Sequence, residues 1–505
     1  MAVQLDTTPY WTESASVPRF PQLDGNLKVD VVVIGGGITG LTAAYFLAAE
    51  GRTVAVLERG RLGEVDTGHT TAHLTMVTDA PITDLASRFG RDHARAAWDA
   101  GLAAISAIDS IVRTEEIACG FAWVPAYLHP PPEFGDTDLK ALVEQADLAG
   151  ELGFDASYLD IVPLCRRPGI RFENQARFHP RKYLAGLARA ITDKGGRIFE
   201  HTDAGEFSDN PRHVKANGAS VTFDRVVLAT HNPLVGRANV SSAALLQTKL
   251  ALYTSYAITA RVPKDIVADA LWWDTADPYN YLRVEPHRDD DLVIFGGEDH
   301  KTGQAENTNA CFGRLERSLL QVIPDAKVTH RWSGQVIETS DGLPYIGETA
   351  DRQFAATGFS GNGMTFGTLA GIMATDYVLG RKNPWTDLFN PHRKTLRAAW
   401  NYLVENKDYP YYMLRGRFAG AAEQQLRSIP RGRGKVIEYK GQQVAAYRDE
   451  SGTVVLRSAI CTHMGCLVDW NDAERTWDCP CHGSRFEPDG SVIAGPGEQP
   501  LGEIS

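Results

Sequence analysis

A chain of 505 residues is too long for one hydrophobic core and calls for two or three domains. Its 43% hydrophobic and 23% charged residues are ordinary for a globular protein, and its net charge of −12 argues against nucleic acid or anionic membrane as a partner. No apolar run approaches the length needed to span a bilayer.

The first 24 residues are polar and punctuated by proline, with neither a charged n-region nor an apolar h-region, so the cytoplasm is the expected location. Asp30-Val31-Val32-Val33-Ile34 then reads as a buried parallel strand. It runs into Gly35-Gly36-Gly37-Ile38-Thr39-Gly40, a helical pattern from Leu41 to Glu50, and a second strand, Thr53 to Leu57, ending at Glu58. This is G-x-G-x-x-G in the context it demands. Gly35 permits the tight turn, Gly37 lets backbone approach a pyrophosphate, and Gly40 lets helix and strand pack closely. The helix N-terminus presents free N–H groups to phosphate, and Glu58 can accept from ribose hydroxyls. A dinucleotide site is expected here.

Three later segments refine that expectation. Val226-Val227-Leu228-Ala229-Thr230 is an apolar strand ending at Thr230, with Pro233 soon after. Asp341-Gly342-Leu343-Pro344-Tyr345-Ile346-Gly347 and Ala356-Thr357-Gly358-Phe359-Ser360-Gly361-Asn362-Gly363-Met364 follow. With the N-terminal motif they resemble the D-amino-acid-oxidase-like superfamily of FAD enzymes, which includes glycine oxidase, sarcosine oxidase and dimethylglycine dehydrogenase. The resemblance covers roughly 28–380 and implies FAD. It also implies an α/β, Rossmann-like FAD-binding domain (28–90, 175–240, 335–380) holding an inserted α+β substrate domain (91–175, 241–334). Gly358, Gly361, Gly363 and Met364 would cover the flavin ring. Gly361-x-Gly363 opens no second dinucleotide fold, because no strand ending in an acid follows it.

The loop Thr67-Gly68-His69-Thr70-Thr71-Ala72-His73 would, by the same resemblance, approach the flavin and pyrophosphate through Thr67, His69 and Thr70. Dimethylglycine dehydrogenase-like members carry a covalently attached His near His69, about one residue out of register. His69 and His73 also stand at i, i+4, which a helix could offer to a metal, yet no partnering acid appears. Further on, alternation in Tyr279-Asn280-Tyr281-Leu282-Arg283 puts Tyr281 and Arg283 on one strand face. An Arg fork and a phenol would suit a carboxylate substrate; a salt-bridged strand is the alternative. Strand signals at Tyr253–Arg261 and Asp291–Gly297 suggest an antiparallel sheet. A helical connector is expected over 381–429, with Trp400, Leu403 and Tyr411 as anchors.

Near the C-terminus stand Cys461-Thr462-His463-Met464-Gly465-Cys466 and Cys479-Pro480-Cys481-His482-Gly483-Ser484. C-x-H-x-G-C followed by C-P-C-H-G-S is the ligand set of a Rieske 2Fe–2S cluster, with Cys461, His463, Cys479 and His482 as ligands. Zinc takes the same residue types, but these paired arms closed by Gly are not a usual zinc-finger spacing. The segment 430–505 resembles the cytochrome bc-type branch of the Rieske family, a small all-β domain. In that branch two further cysteines form a disulfide clamping the cluster loops; the matching residues here are Cys466 and Cys481. The branch also hydrogen-bonds its cluster sulfurs with a Ser and a Tyr. Ser484 matches, but Phe486 stands where the Tyr would be, which lowers the expected potential. Cys119, Cys165 and Cys311 are scattered and read as reduced packing residues.

The two motifs together suggest an FAD-dependent dehydrogenase of a small amine or amino acid. Electrons would leave singly through the cluster to an external acceptor protein. A flavin reductase fed by ferredoxin, or a non-catalytic electron-transfer protein, are the alternatives.

Overall fold

In the computed structural model, residues 7–232, 249–305, 307–393, 426 and 429–504 are described. β1 (Val31–Ile34) and β2 (Val54–Leu57) are buried at every position, as strands covered on both faces are. α1 (Ile38–Ala49) connects them and is buried on almost all sides. β1 sits between β2 and Arg225–Leu228, with Arg197–Phe199 and Gln353–Thr357 further out, all parallel; Tyr345–Ala350 closes one edge antiparallel. The chain leaves β1 for one side of this six-stranded sheet and later fills the other. The crevice at the C-terminal end of β1 is therefore a topological switch point, where such sheets take ligands. α2 (Gly363–Leu379) lies against α1. The contact needs small residues: a Cβ on Gly371 would come 2.7 Å from Thr42.

A second, nine-stranded sheet stands beside the first. β3 (Leu250–Pro263), β4 (Tyr281–Pro286), β5 (Asp290–Lys301) and β6 (Lys327–Thr339) form one half in the order β6-β3-β5-β4, all antiparallel. Leu271–Asp274, Ala122–His129, Gly169–Arg177 and His73–Leu74 continue it, and Ala156–Leu159 pairs with Gly169–Arg177. The expected antiparallel substrate sheet is present, but its limits move. His73–Leu74 belongs to it although it falls within the expected FAD segment 28–90. Gly169–Arg177 crosses the expected limit at 175, and β6 runs past 334. Strand pairing over long sequence distances sets these edges, and a two-residue strand carries no periodic signal. Within 175–240, Ala204–Asp209, Arg212–Ala216 and Ala219–Thr222 form a separate small sheet with Leu27–Lys28.

From Arg433 onward the regular structure of the described residues is all β. Arg433–Tyr439, Gln442–Arg448 and Val454–Ser458 make one antiparallel sheet; four short strands between Asp469 and Ala494 make another. The connector helices expected over Pro391–Glu405 and Leu414–Arg427, with Trp400, Leu403 and Tyr411, lie outside the described residues apart from 391–393 and 426, as does Pro233. Among the described residues no helix is long and apolar enough to cross a membrane.

Candidate active site and cluster centre

One cavity of about 480 Å³ runs from the C-terminal ends of β1 and β2 to the face of the large sheet. At its first end Gly35, Gly36 and Gly37 line the turn into α1. The N-cap residue, Gly37, has no side chain to cap that helix, and Gly37, Ile38 and Thr39 line the cavity, where a helix start offers N–H groups to phosphate. The Ile38 N–H alone donates to Thr67 Oγ1 (3.2 Å). Gly35 has φ +107°, and a Cβ there would lie 2.4 Å from Ala229 O; one on Gly40 would lie 2.0 Å from Gly35 O. Neither position tolerates a side chain.

Glu58 ends β2 and faces the same space. Gly36 N–H donates to its Oε2 and Gly60 N–H to its Oε1, both at 2.7 Å, leaving lone pairs for a ribose. Burial raises its pKa against the pull of those two donors. Thr230 lines the opposite wall, its hydroxyl donating to Asn232 O (2.7 Å). His231 Nε2 and both Asn232 side-chain polar atoms are buried there without partners among the described residues. An uncapped helix start, a ribose-facing acid and orphaned polar atoms in one crevice fit FAD.

The other end of the cavity is built from the 67–71 loop, the turn before α2 and the large sheet. Thr67, His69, Thr70, Gly361, Gly363 and Met364 all line it. Gly358 does not. With φ +75° and Thr339 2.3 Å from where its Cβ would be, it serves the turn itself. His69 is held as a loop residue: its Nδ1–H donates to Val65 O (2.6 Å), and its carbonyl accepts from Trp332 Nε1 (2.8 Å). His73 lies on a strand, so the helical His pair does not exist. Burial pushes the His73 pKa down to about 3, and its ring meets the Tyr281 ring edge-on at 5.6 Å.

Tyr281 lines the cavity, its hydroxyl bonded to Ser255 Oγ (2.7 Å). It pairs with Gly296 on β5, whose missing side chain lets the ring lie across the strand. Arg283 corrects the sequence expectation. It is fully buried beneath the cavity rather than in it. Its guanidinium pairs with Glu285 and donates to the carbonyls of Ala72 (2.8 Å) and Phe178 (3.0 Å), over the Trp11 ring. Strand alternation gave the face correctly, but the N-terminal helix Tyr10–Ser14 and the 71–72 loop seal that face. Sequence reading missed Asp79, Tyr279, Asp299 and Gln335, all cavity residues. The one available signal was the acid pair Glu298-Asp299, which follows the apolar run 292–295 and two glycines.

In the C-terminal domain, the thiols of Cys461 and Cys479 face each other within hydrogen-bond reach. That contact brings Cys461 down to about 7 and raises Cys479, which burial raises further. The His463 and His482 rings lie 4.7 Å apart. His463 Nδ1 is shut from solvent without a partner among the described residues, as a nitrogen that ligates a metal would be. Cys466 and Cys481 are joined as a disulfide (2.13 Å), so Cys479 alone of the three clustered sulfurs can ligate. Two buried thiols beside two half-buried imidazoles fit a Rieske cluster. Ser484 lies within hydrogen-bond reach of Cys461, and its Oγ accepts from Gly497 N–H (2.9 Å). The tip of the Phe486 ring and Ser484 Oγ converge on Gly497, at 3.0 and 3.1 Å from its Cβ direction. A hydroxyl on that ring tip would add a donor beside Ser484. Phe486→Tyr is expected to raise the cluster potential by about 40 mV, taking about 1 kcal/mol for the added hydrogen bond. Protein-film voltammetry reads it.

The two centres share a wall. Ile493, Ala494, Gly495, Gly497 and Glu498 line the cavity that Glu58 and Tyr281 line. Arg59 donates to Ile493 O (2.7 Å), Gln304 Nε2 to Pro480 O (3.0 Å), and Gln335 Nε2 to Gly483 O (2.8 Å).

Comparison with known proteins agrees with this architecture. The model of the family "FAD dependent oxidoreductase" matches residues 30–377, and that of the "Rieske [2Fe-2S] domain" matches 421–505. The chain is 32% identical over 503 residues to the Bacillus subtilis (strain 168) iron-sulfur protein YhfW, spanning 98% of this chain and 97% of that one. It is 25% identical over 434 residues to gamma-glutamylputrescine oxidoreductase of Escherichia coli (strain K12), spanning 81% and 98%. Among solved structures, glycine oxidase from Geobacillus kaustophilus superposes with a TM-score of 0.61 at 18% identity, over 73% of this chain and 100% of that one.

Proposed function

The chain belongs to the FAD dependent oxidoreductase family and ends in a Rieske domain, and on that premise we propose a dehydrogenase with a built-in electron exit. Its class is that of the amine and amino-acid oxidases. The proposed substrate is a small amine or amino acid, and the proposed acceptor is an external one-electron protein in the cytoplasm.

When bound, FAD supplies two-electron chemistry at carbon next to nitrogen, and the Rieske cluster supplies one-electron transfer. The chain's residues do the rest. Gly35, Gly37, Glu58 and the α1 N-terminus hold the dinucleotide, and Tyr281 with the 67–71 loop shapes the chamber beyond it. Cys461, His463, Cys479 and His482 hold the cluster. The observation that carries the reading is the shared wall: the domain bearing the cluster loops closes the FAD cavity. Ile460 and Met464, on the cluster loop with His463, are 45% and 53% exposed, and we take this apolar edge as the place where a partner would dock.

An anaerobic titration of the holoprotein with a panel of amines and amino acids tests it, with flavin absorbance and cluster EPR followed together. Flavin bleaching followed by the reduced-cluster signal is expected. If nothing small bleaches the flavin while reduced ferredoxin reduces both centres, electrons run inward and the reading is wrong.

A further inference from the structure

Beyond the dinucleotide end, the cavity opens into a chamber walled by Asp79, Asp299, Tyr279, Tyr281 and Ser255. Two of those five residues are acids. Asp79 is fixed by the Gly361 N–H (2.6 Å) and the Tyr279 hydroxyl (3.4 Å), close to the N-terminus of α2. Asp299 comes from β5 at a break in register: Glu298 before it has φ +61° and turns outward to Arg314 (2.7 Å), which aims Asp299 inward. Asp299 Oδ1 is closed to solvent and has no hydrogen-bond partner among the described residues. The residue as a whole keeps some exposure, because it borders the chamber's open space.

No cation answers these carboxyls among the described lining residues. Arg59 and Arg61 line the cavity at the dinucleotide end, next to Glu58; Arg59 is taken by Ile493 O, and Arg61 faces Glu64 and Glu200. Arg283 is sealed away. His73 stays neutral, held down to about 3 by burial. A ligand carboxylate in this chamber would meet two acids and, among the described lining residues, no counter-charge, so it would be repelled. A ligand ammonium would supply the missing donor to Asp299 Oδ1.

We propose that this chamber binds substrate as a cation: an amine whose ammonium sits between Asp299 and Asp79, with no carboxylate beside the nitrogen. The inference rests on the dehydrogenase reading and narrows its substrate class from amines and amino acids to amines.

A pH dependence accompanies it. The groups facing Asp299 are Ser255 on β3, Tyr281 on β4, Tyr279 and Asp277 in the turn before β4, and Asp79; Glu298 on its own strand acts from the outward side. Burial, chiefly, holds Asp299 up to about 7, with Asp79, Asp277 and Glu298 adding to the rise and Ser255 opposing it. Asp299 is therefore neutral below that value and charged above it. Affinity for an ammonium should rise as pH passes upward through about 7.

The test uses two ligands that cannot be oxidised because the carbon bearing nitrogen carries no hydrogen. These are tert-butylamine and 2-aminoisobutyrate, which differ by a methyl against a carboxylate. Binding to the FAD-loaded full chain is read by flavin difference spectra and calorimetry. At pH 8 tert-butylamine should bind at least about tenfold tighter than 2-aminoisobutyrate, and more tightly than at pH 6. Asp299→Asn and Asp79→Asn, each checked for FAD content and melting temperature, should each weaken tert-butylamine about tenfold or more. If either variant misfolds, the wild-type pH and ligand comparisons still decide. Equal or tighter binding of 2-aminoisobutyrate, a flat pH response, or a folded Asp299→Asn chain with unchanged affinity overturns the inference. Because neither ligand turns over, those results are separate from the bleaching titration. Amines or amino acids that bleach the flavin while tert-butylamine fails leave the dehydrogenase reading intact.

Discussion

Replacing Cys479 by Ser should remove the cluster's EPR signal while leaving the flavin reducible by substrate. Cys479 is the one free sulfur in the Cys466–Cys479–Cys481 group, so no neighbouring thiol can take its place. The disulfide would still clamp the two loops, and the α1 cradle lies in the other domain. Flavin bleaching in the anaerobic titration should therefore keep the wild-type rate. Turnover with a one-electron protein acceptor should fall roughly a hundredfold or more, equivalent to about 2.7 kcal/mol or more on the barrier. The split between the two readouts is the point. Bleaching and turnover falling together would mean that the domain merely supports the fold. Turnover holding with the cluster gone would mean that electrons leave directly from the FAD cavity.

The parts of this protein legible in the sequence are those whose chemistry is local. The cradle from Asp30 to Glu58 is a continuous stretch in which strand, turn, helix and acid each have a fixed job. The cluster arms carry their ligands within a few residues of one another. Arg283 shows where such reading stops. Alternation placed it on the face of Tyr281, but whether that face opens to a cavity depends on the helix Tyr10–Ser14, some 270 positions away in sequence, and on the carbonyls of Ala72 and Phe178. Asp79 is similar: nothing around it marks an active-site residue until the turn at Gly361 folds over it. The docking of the C-terminal domain left no pattern either. Its hydrogen bonds to the rest of the chain use its backbone, the carbonyls of Pro480, Gly483 and Ile493 and the Ala473 N–H, which donates to Thr308 Oγ1 (3.1 Å), and a backbone atom has no residue-type signature.

Gly303→Val should uncouple the two centres without removing either. Gly303 follows β5 with φ +78°, a conformation that side chains oppose. A Cβ there would stand 2.7 Å from Pro480 N and 2.8 Å from Cys479 C, against the backbone of the cluster loop itself. That loop cannot yield by rotating a side chain, so it must move away from the large sheet. The Gln304–Pro480 and Gln335–Gly483 hydrogen bonds would stretch or break with it. Overpacking of this kind costs about 1–3 kcal/mol, little enough for both domains to stay folded and loaded. Electron tunnelling falls off exponentially with separation, so the transfer step should feel the shift far more than the fold does. In a stopped-flow experiment with a reducing substrate, the flavin should bleach at the wild-type rate while cluster reduction lags behind it. In the wild type the two should be concurrent. A variant that retains both cofactors and still reduces its cluster in step with its flavin would show that the docked contact is not the electron path.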